Sequence, residues 1–168
     1  MANTDICTMY QCHLLLGSNQ GDRTGFLEKA RHALSGLGHV TATSALYETA
    51  AWGLTDQPAF LNQALCISTA LPPETLLQEA LNIESKLGRV RAEKYGPRTI
   101  DIDLLLYEDL IHRSNHLILP HPELPKRRFA LTALAEIAGT TIHPVEQCSI
   151  QSLLERCTDP LPVKRIEL

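Results

Sequence analysis

The order of elements in the sequence, strand–helix–strand–strand–helix–strand, predicts an α+β domain. Its core would be an antiparallel sheet with helices packed on it, followed by a C-terminal extension. Three observations support this. Apolar or β-branched runs lie at residues 11–16, 39–48, 59–71 and 99–107. Two amphipathic stretches at helical spacing separate them, and glycine or proline marks most of the junctions.

The first strand, 11–16, stops at Gly17 and leads into a turn-rich stretch, 17–22. Phe26, Leu27, Ala30, Ala33, Leu34 and Leu37 then recur at helical spacing, and glycine at 36 or 38 ends the helix. Valine, threonine and tyrosine make 39–48 a strand. A loop at 49–58 precedes the third strand, 59–71, which Pro72-Pro73 terminates. Proline at a first helical position is tolerated, and Leu76, Leu77, Ala80, Leu81, Glu84 and Leu87 give the second helix, which closes at Gly88. After a basic loop comes the strand 99–107. A short strand near 117–119, a proline-rich loop at 120–126 and two helical patterns at 129–138 and 149–157 complete the chain. This is the βαββαβ order of ferredoxin-like α+β domains, and no internal repeat or linker divides it. One domain over 1–168 is expected.

A hydrophobic content of 44% with 20% charged residues suits a soluble globular protein, and the formal net charge of −4 argues against nucleic-acid binding through phosphates. The start has no secretory pattern and no segment is apolar enough to span a bilayer, so no membrane association is expected. Five scattered cysteines without a CxxC pair favour free thiols in a reducing cytoplasm over zinc or disulfides. A monomer is expected.

Asp101 and Asp103 carry the strongest chemical signal. Two residues apart on a strand, they share a face, while Ile100, Ile102 and Leu104 turn to the core. Like charges this close in an apolar strand repel, and a divalent cation removes that cost; carboxylates with nucleotide phosphates are what magnesium prefers. A solvated strand face also accounts for the pair taken alone. Four cations, Arg89, Arg91, Lys94 and Arg98, immediately precede it. Such a loop beside a metal pair suits polyphosphate, although charge runs are commonly just solvated. Phe60 and Asn62 share a strand face, so an aromatic plane and a carboxamide could hold a flat heterocycle, with Phe129 as a second plane. Each would also serve as an ordinary core or edge residue. His121 and Arg127, in the proline-rich loop, could hold phosphate or base.

These segments occur in an order that resembles the 6-hydroxymethyl-7,8-dihydropterin pyrophosphokinase family. They are Leu16-Gly17-Ser18-Asn19, Tyr47-Glu48-Thr49, Asp56-Gln57-Pro58 followed by Phe60-Leu61-Asn62, Gly88-Arg89-Val90-Arg91, Gly96-Pro97-Arg98-Thr99-Ile100-Asp101-Ile102-Asp103, and Pro120-His121 with Arg127 and Phe129. The resemblance implies a ferredoxin-like fold and pyrophosphate transfer from ATP to a hydroxymethyl dihydropterin, with two magnesium ions and release of AMP. It makes Asp101 and Asp103 metal ligands and Arg89 and Arg98 catalytic. It places Glu84, Arg91, His121 and Arg127 with these arginines at the ATP. Phe60, Asn62, Phe129 and the segment carrying Thr49 and Trp52 fall at the pterin. The chain departs from the family in having Ala50-Ala51 where two prolines are frequent, a basic loop one residue shorter than in some relatives, and Pro122 where an aromatic residue is frequent. Two alternatives stand beside this reading: another metal-dependent phosphoryl or nucleotidyl transferase, which leaves Asn62 and the aromatics unexplained, and a non-catalytic ligand-binding module, which needs no metal pair.

Overall fold

The protein is described by a computed structural model covering residues 7–51, 56–90 and 95–168. The central strand is β1, Tyr10–Ser18, which lies between β4, Phe60–Thr69, and β5, Asp101–Tyr107, antiparallel to both. Outside β4 lie β2, His39–Thr43, and β3, Leu46–Thr49, and beyond β3 the C-terminal strand β8, Val163–Ile166. The first strand is thus flanked by the third and fourth expected from sequence, as the split βαβ arrangement requires.

The strand expected at 39–48 is two strands. The break is at Ser44, whose N–H donates to the Ala64 carbonyl and whose hydroxyl accepts from the Ala64 N–H, both at 2.9 Å. That exchange holds the kink against β4, where the register also shifts. A small hairpin, β6 (His112–Arg113) with β7 (Ile118–Leu119), follows β5.

Helix α1, Arg23–Leu34, begins three residues earlier than its apolar spacing indicates, because Asp22 Oδ1 caps it by accepting from Gly25 N at 3.1 Å. Helix α2, Pro73–Lys86, starts on its proline. Leu27, Ala30 and Leu34 of α1 with Leu76, Ala80 and Ile83 of α2 pack on Leu14, Leu16, Leu65, Ile67 and Leu104 of the sheet. The opposite face holds a second layer. There α3, Arg128–Ala138, and α4, Ile150–Arg156, cover Leu15, Ala64 and Leu105. The α3 layer leaves the Gly17–Asp101 end of that face open, and the site lies there. No helix among the described residues is long and apolar enough to cross a membrane.

Candidate active site

One cleft of about 690 Å³, within the range of small-molecule sites, opens on this face of the sheet. Cross-strand pairing explains its floor. Leu15 of β1 pairs with Ala64 on one side and Asp103 on the other, and Gly17 pairs with Asn62 and Asp101. The alternation of β5 turns Asp101 and Asp103 into the cleft, while Ile100, Ile102 and Leu104 are buried beneath α1 and α2. That division is the one expected from their spacing.

The carboxylates sit in contrasting surroundings. Asp101 accepts from two guanidiniums, Arg89 Nη1 to Oδ1 at 2.9 Å and Arg98 Nη1 to Oδ2 at 3.2 Å. Burial, and then the charges of Asp101 and Glu84, push the Asp103 carboxyl up to about 8, against the pull of Arg127 and Arg98. A half-buried carboxyl on the cleft floor beside a carboxylate keeps its proton more readily unless positive charge arrives, which is the environment a divalent cation satisfies. Among the described residues no three His, Cys, Asp or Glu side chains converge as a metal cage. Two carboxylates with room beside them therefore fit magnesium, whose remaining ligands come from phosphates and water.

Helix α2 delivers the first arginine. Gly88, at φ +86°, takes the left-handed conformation, and Arg89 N donates back to the Glu84 carbonyl at 3.1 Å and Gly88 N to Ser85 at 3.1 Å. This turn lays Arg89 along the helix end, where its Nη1 also meets Glu84 Oε1 at 2.8 Å. The same oxygen accepts from Ile102 N at 2.8 Å, so buried Glu84 ties α2 to the aspartate strand.

Arg98 is held by its main chain. Asn19, buried just past β1, accepts from Arg98 N at 2.9 Å through Oδ1, and its own N–H donates to the Arg98 carbonyl at 3.2 Å. Its Nδ2 donates to Gln57 Oε1 at 2.8 Å and to the Pro58 carbonyl at 3.0 Å, and Gln57 Nε2 donates to the Tyr95 carbonyl at 2.7 Å. One carboxamide thus joins three loops. The sequence shows Asn19 only as part of the Leu16-Gly17-Ser18-Asn19 segment and gives it no role of its own; the available cue was a carboxamide in the turn directly after the central strand.

Asn62 is buried, and among the described residues its Nδ2 has no hydrogen-bond partner, an unmet donor that a polar ligand could satisfy. Phe60 and Phe129, the latter in the first turn of α3, line the same cleft. Thr49 also lines it, but its hydroxyl donates to the Pro162 carbonyl at 3.2 Å, which leaves its main chain for any ligand. His121 and Arg127 close another side. His121 Nδ1 accepts from Glu123 N at 3.1 Å, so the neutral ring carries its proton on Nε2. Burial, with Arg127 adding to it, lowers that ring to about 4 and keeps it neutral. Trp52, Arg91 and Lys94 lie outside the described residues.

The cleft continues past Glu84 along α2 to Glu74, Gln78, Leu81 and Ser85 and to His116. Sequence reading took Leu81 as core and did not single out the others as site residues; their recurrence on one helix face was the available signal. Glu74 Oε1 accepts from His112 Nε2 at 2.9 Å and from the Ser114 hydroxyl, pinning the β6–β7 turn to the helix.

The chain matches the family described as 7,8-dihydro-6-hydroxymethylpterin-pyrophosphokinase (HPPK) over residues 13–139. It is 43% identical over 161 residues to the 2-amino-4-hydroxy-6-hydroxymethyldihydropteridine pyrophosphokinase of Methylorubrum extorquens, covering 95% of this chain and 100% of that one. The Aquifex aeolicus enzyme of the same description is 42% identical over 137 residues, covering 82% and 86%. The folic acid synthesis protein fol1 of Pneumocystis carinii is 43% identical over 148 residues; these are 88% of this chain but 20% of that much longer protein. The fold resembles that of wild-type Plasmodium falciparum HPPK-DHPS crystallised with pterin and p-hydroxybenzoate. Its TM-score is 0.72 at 16% identity, covering 91% of this chain and 44% of that one. The chain therefore belongs to the 7,8-dihydro-6-hydroxymethylpterin pyrophosphokinase family, the folate-synthesis enzymes that transfer pyrophosphate from ATP to that pterin.

Proposed function

We propose that the cleft carries out this transfer with the heterocycle at Asn62, the triphosphate over Asp101 and Asp103, and the nucleoside along α2. The observation that carries the assignment is one cleft in which a buried carboxamide, its Nδ2 unpartnered among the described residues, lies with two phenylalanines beside Asp103 and an Asp101 already served by two arginines. Asp101 and Asp103 would hold two magnesium ions, which when bound supply the positive charge that ATP phosphates require at the β-phosphoryl group. Arg89 and Arg98 exchange Asp101 for phosphate oxygens as the nucleotide arrives, and Glu84 keeps Arg89 on the sheet side of the cleft. Arg91, outside the described residues, would serve the same phosphates. Neutral His121 donates from Nε2 to a phosphate or base acceptor, and Arg127 adds charge beside it.

Asn62 both donates to and accepts from the pyrimidine edge, Phe60 and Phe129 sandwich the bicycle, and the main chain of the segment with Thr49 and Trp52 meets its rim. The pterin hydroxyl oxygen then attacks the β-phosphorus in line. The new O–P bond forms as the bond to the α-phosphate oxygen breaks, AMP leaves with that electron pair, and Asp101 takes the hydroxyl proton. Positioning and charge stabilisation supply the rate, with no covalent enzyme intermediate.

The chain would act as one domain and a monomer, and its free cysteines suit a reducing cytoplasm. The test is product analysis with ATP, magnesium and 6-hydroxymethyl-7,8-dihydropterin. Equal amounts of AMP and pterin pyrophosphate are expected, with no AMP when the pterin is omitted. ADP as product, or AMP release without pterin, would overturn the assignment.

A further inference from the structure

We infer that Gly17 is a positioning residue for the transfer step, its missing side chain making the heterocycle and phosphate subsites one continuous space. The inference rests on the substrate placement proposed above. Gly17 lies in the central strand and is the residue paired with Asn62 on one side and Asp101 on the other. Strands are spaced about 4.8 Å apart, so these two functional residues stand roughly 10 Å apart across the sheet with Gly17 between them. A Cβ at 17 would point into the cleft, 3.0 Å from Asn62 Oδ1 and 3.6 Å from Phe60 Cδ1. The backbone does not demand glycine, since among the described residues the positive-φ glycines are Gly21 and Gly88. Glycine inside a strand weakens it and marks a close approach to backbone or ligand. Here it clears the floor between the pyrimidine-pairing carboxamide and the aspartates. The pterin carries its hydroxymethyl arm away from the edge that Asn62 pairs, and that arm must cross Gly17 to reach phosphate above Asp101. A methyl group there lifts or tilts the bicycle without touching the nucleotide.

Gly17→Ala separates positioning from binding. Calorimetric titration should give ATP–magnesium affinity within about threefold of wild type and a pterin affinity lowered about tenfold or less, since 3.0 Å asks only a small shift of Asn62. With both substrates saturating, kcat should fall about a hundredfold, as a misplacement near 1 Å typically costs. Gly17→Ser, similar in bulk, must show the same split and serves if the alanine variant does not fold, as judged by circular dichroism. A folded variant with kcat within about twofold of wild type, or with its whole loss in the KM for pterin, overturns the inference while leaving the assigned reaction untouched. A wild-type enzyme that makes no pterin-dependent AMP overturns the assigned reaction instead.

Discussion

The Arg98 guanidinium lies 5.3 Å from the centre of the Phe60 ring, so a group assigned to the phosphates rests on a group assigned to the heterocycle. Without ligands it bridges the two, with Nη1 on Asp101 Oδ2 at 3.2 Å. Pterin stacked on Phe60 as proposed would displace it. Arg98→Ala should therefore keep or modestly tighten pterin affinity while lowering turnover roughly a hundredfold, the scale of losing one charge-stabilising donor. Calorimetry with pterin alone and steady-state kinetics check both halves. Collapse of pterin affinity with normal saturated turnover would place Arg98 in the other subsite.

Asp101→Ala and Asp103→Ala should both abolish transfer but differ in their effect on stability. Asp101→Ala leaves the largely buried Arg89 and Arg98 without a shared acceptor, a loss of about 1–3 kcal/mol. Like-charge repulsion considered alone would make this change neutral or stabilising, but the two arginines reverse the sign. Asp103→Ala removes a carboxyl already held neutral by burial, so its unfolding midpoint in magnesium-free buffer should hold or rise. Either variant retaining full activity at ordinary magnesium would sink the metal assignment.

Asn62→Leu should lower pterin affinity about tenfold to a hundredfold, because the pyrimidine edge loses paired groups that apolar atoms cannot replace. ATP affinity in the absence of pterin should be unchanged. Separate titrations decide it, and a wild-type pterin affinity would move the heterocycle elsewhere.

Stability should depend on pH through two opposed sets of groups. Burial lowers His13, His121 and His143, His121 to about 4. The unfolded chain takes up these protons first, so the stability present above about pH 6.5 declines as pH falls toward 4. Asp103 acts in the opposite direction. Raised to about 8, it binds a proton in the folded state that the unfolded chain has already lost, so its cost grows as pH rises from about 4 to 8. Urea unfolding without magnesium should show stability climbing from pH 5 to 6.5. Asp103→Asn should steepen that climb by at most one proton, about 1.4 kcal/mol per pH unit. Equal slopes would mean that Asp103 is ionised in the empty fold.

The sheet core and the aspartate pair were legible because their signals are local. A two-residue period turns Asp101 and Asp103 one way and Ile102 and Leu104 the other, and Gly88 ends α2 through its own backbone. What escaped notice depends on distant partners. The break at Ser44 is made by Ala64, twenty residues away, and Asn19 bonds groups 38 to 79 residues on. Strand β8 is four residues following Pro160 and Pro162, with Lys164 and Arg165 at its centre. Only pairing with β3 makes it a strand. The two C-terminal helices read as an appendage in sequence, yet they build the second face on which the cleft depends.

The alternation of β5 also disciplines folding. A slip of one residue against β1 would drive Asp101 and Asp103 into the layer filled by Leu14, Leu16 and Leu76, far from Arg89 and Arg98. Burying Asp101 there as an unpaired carboxylate costs several kcal/mol or forces it to protonate, and Asp103 would lose the open cleft where its charge can be met. Every misaligned ladder of odd offset is thereby penalised before any substrate is met. The carboxylates that would grip metal act during assembly as sentinels of alignment, so a neutral pair at 101 and 103 would relax the very pairing that makes the cleft.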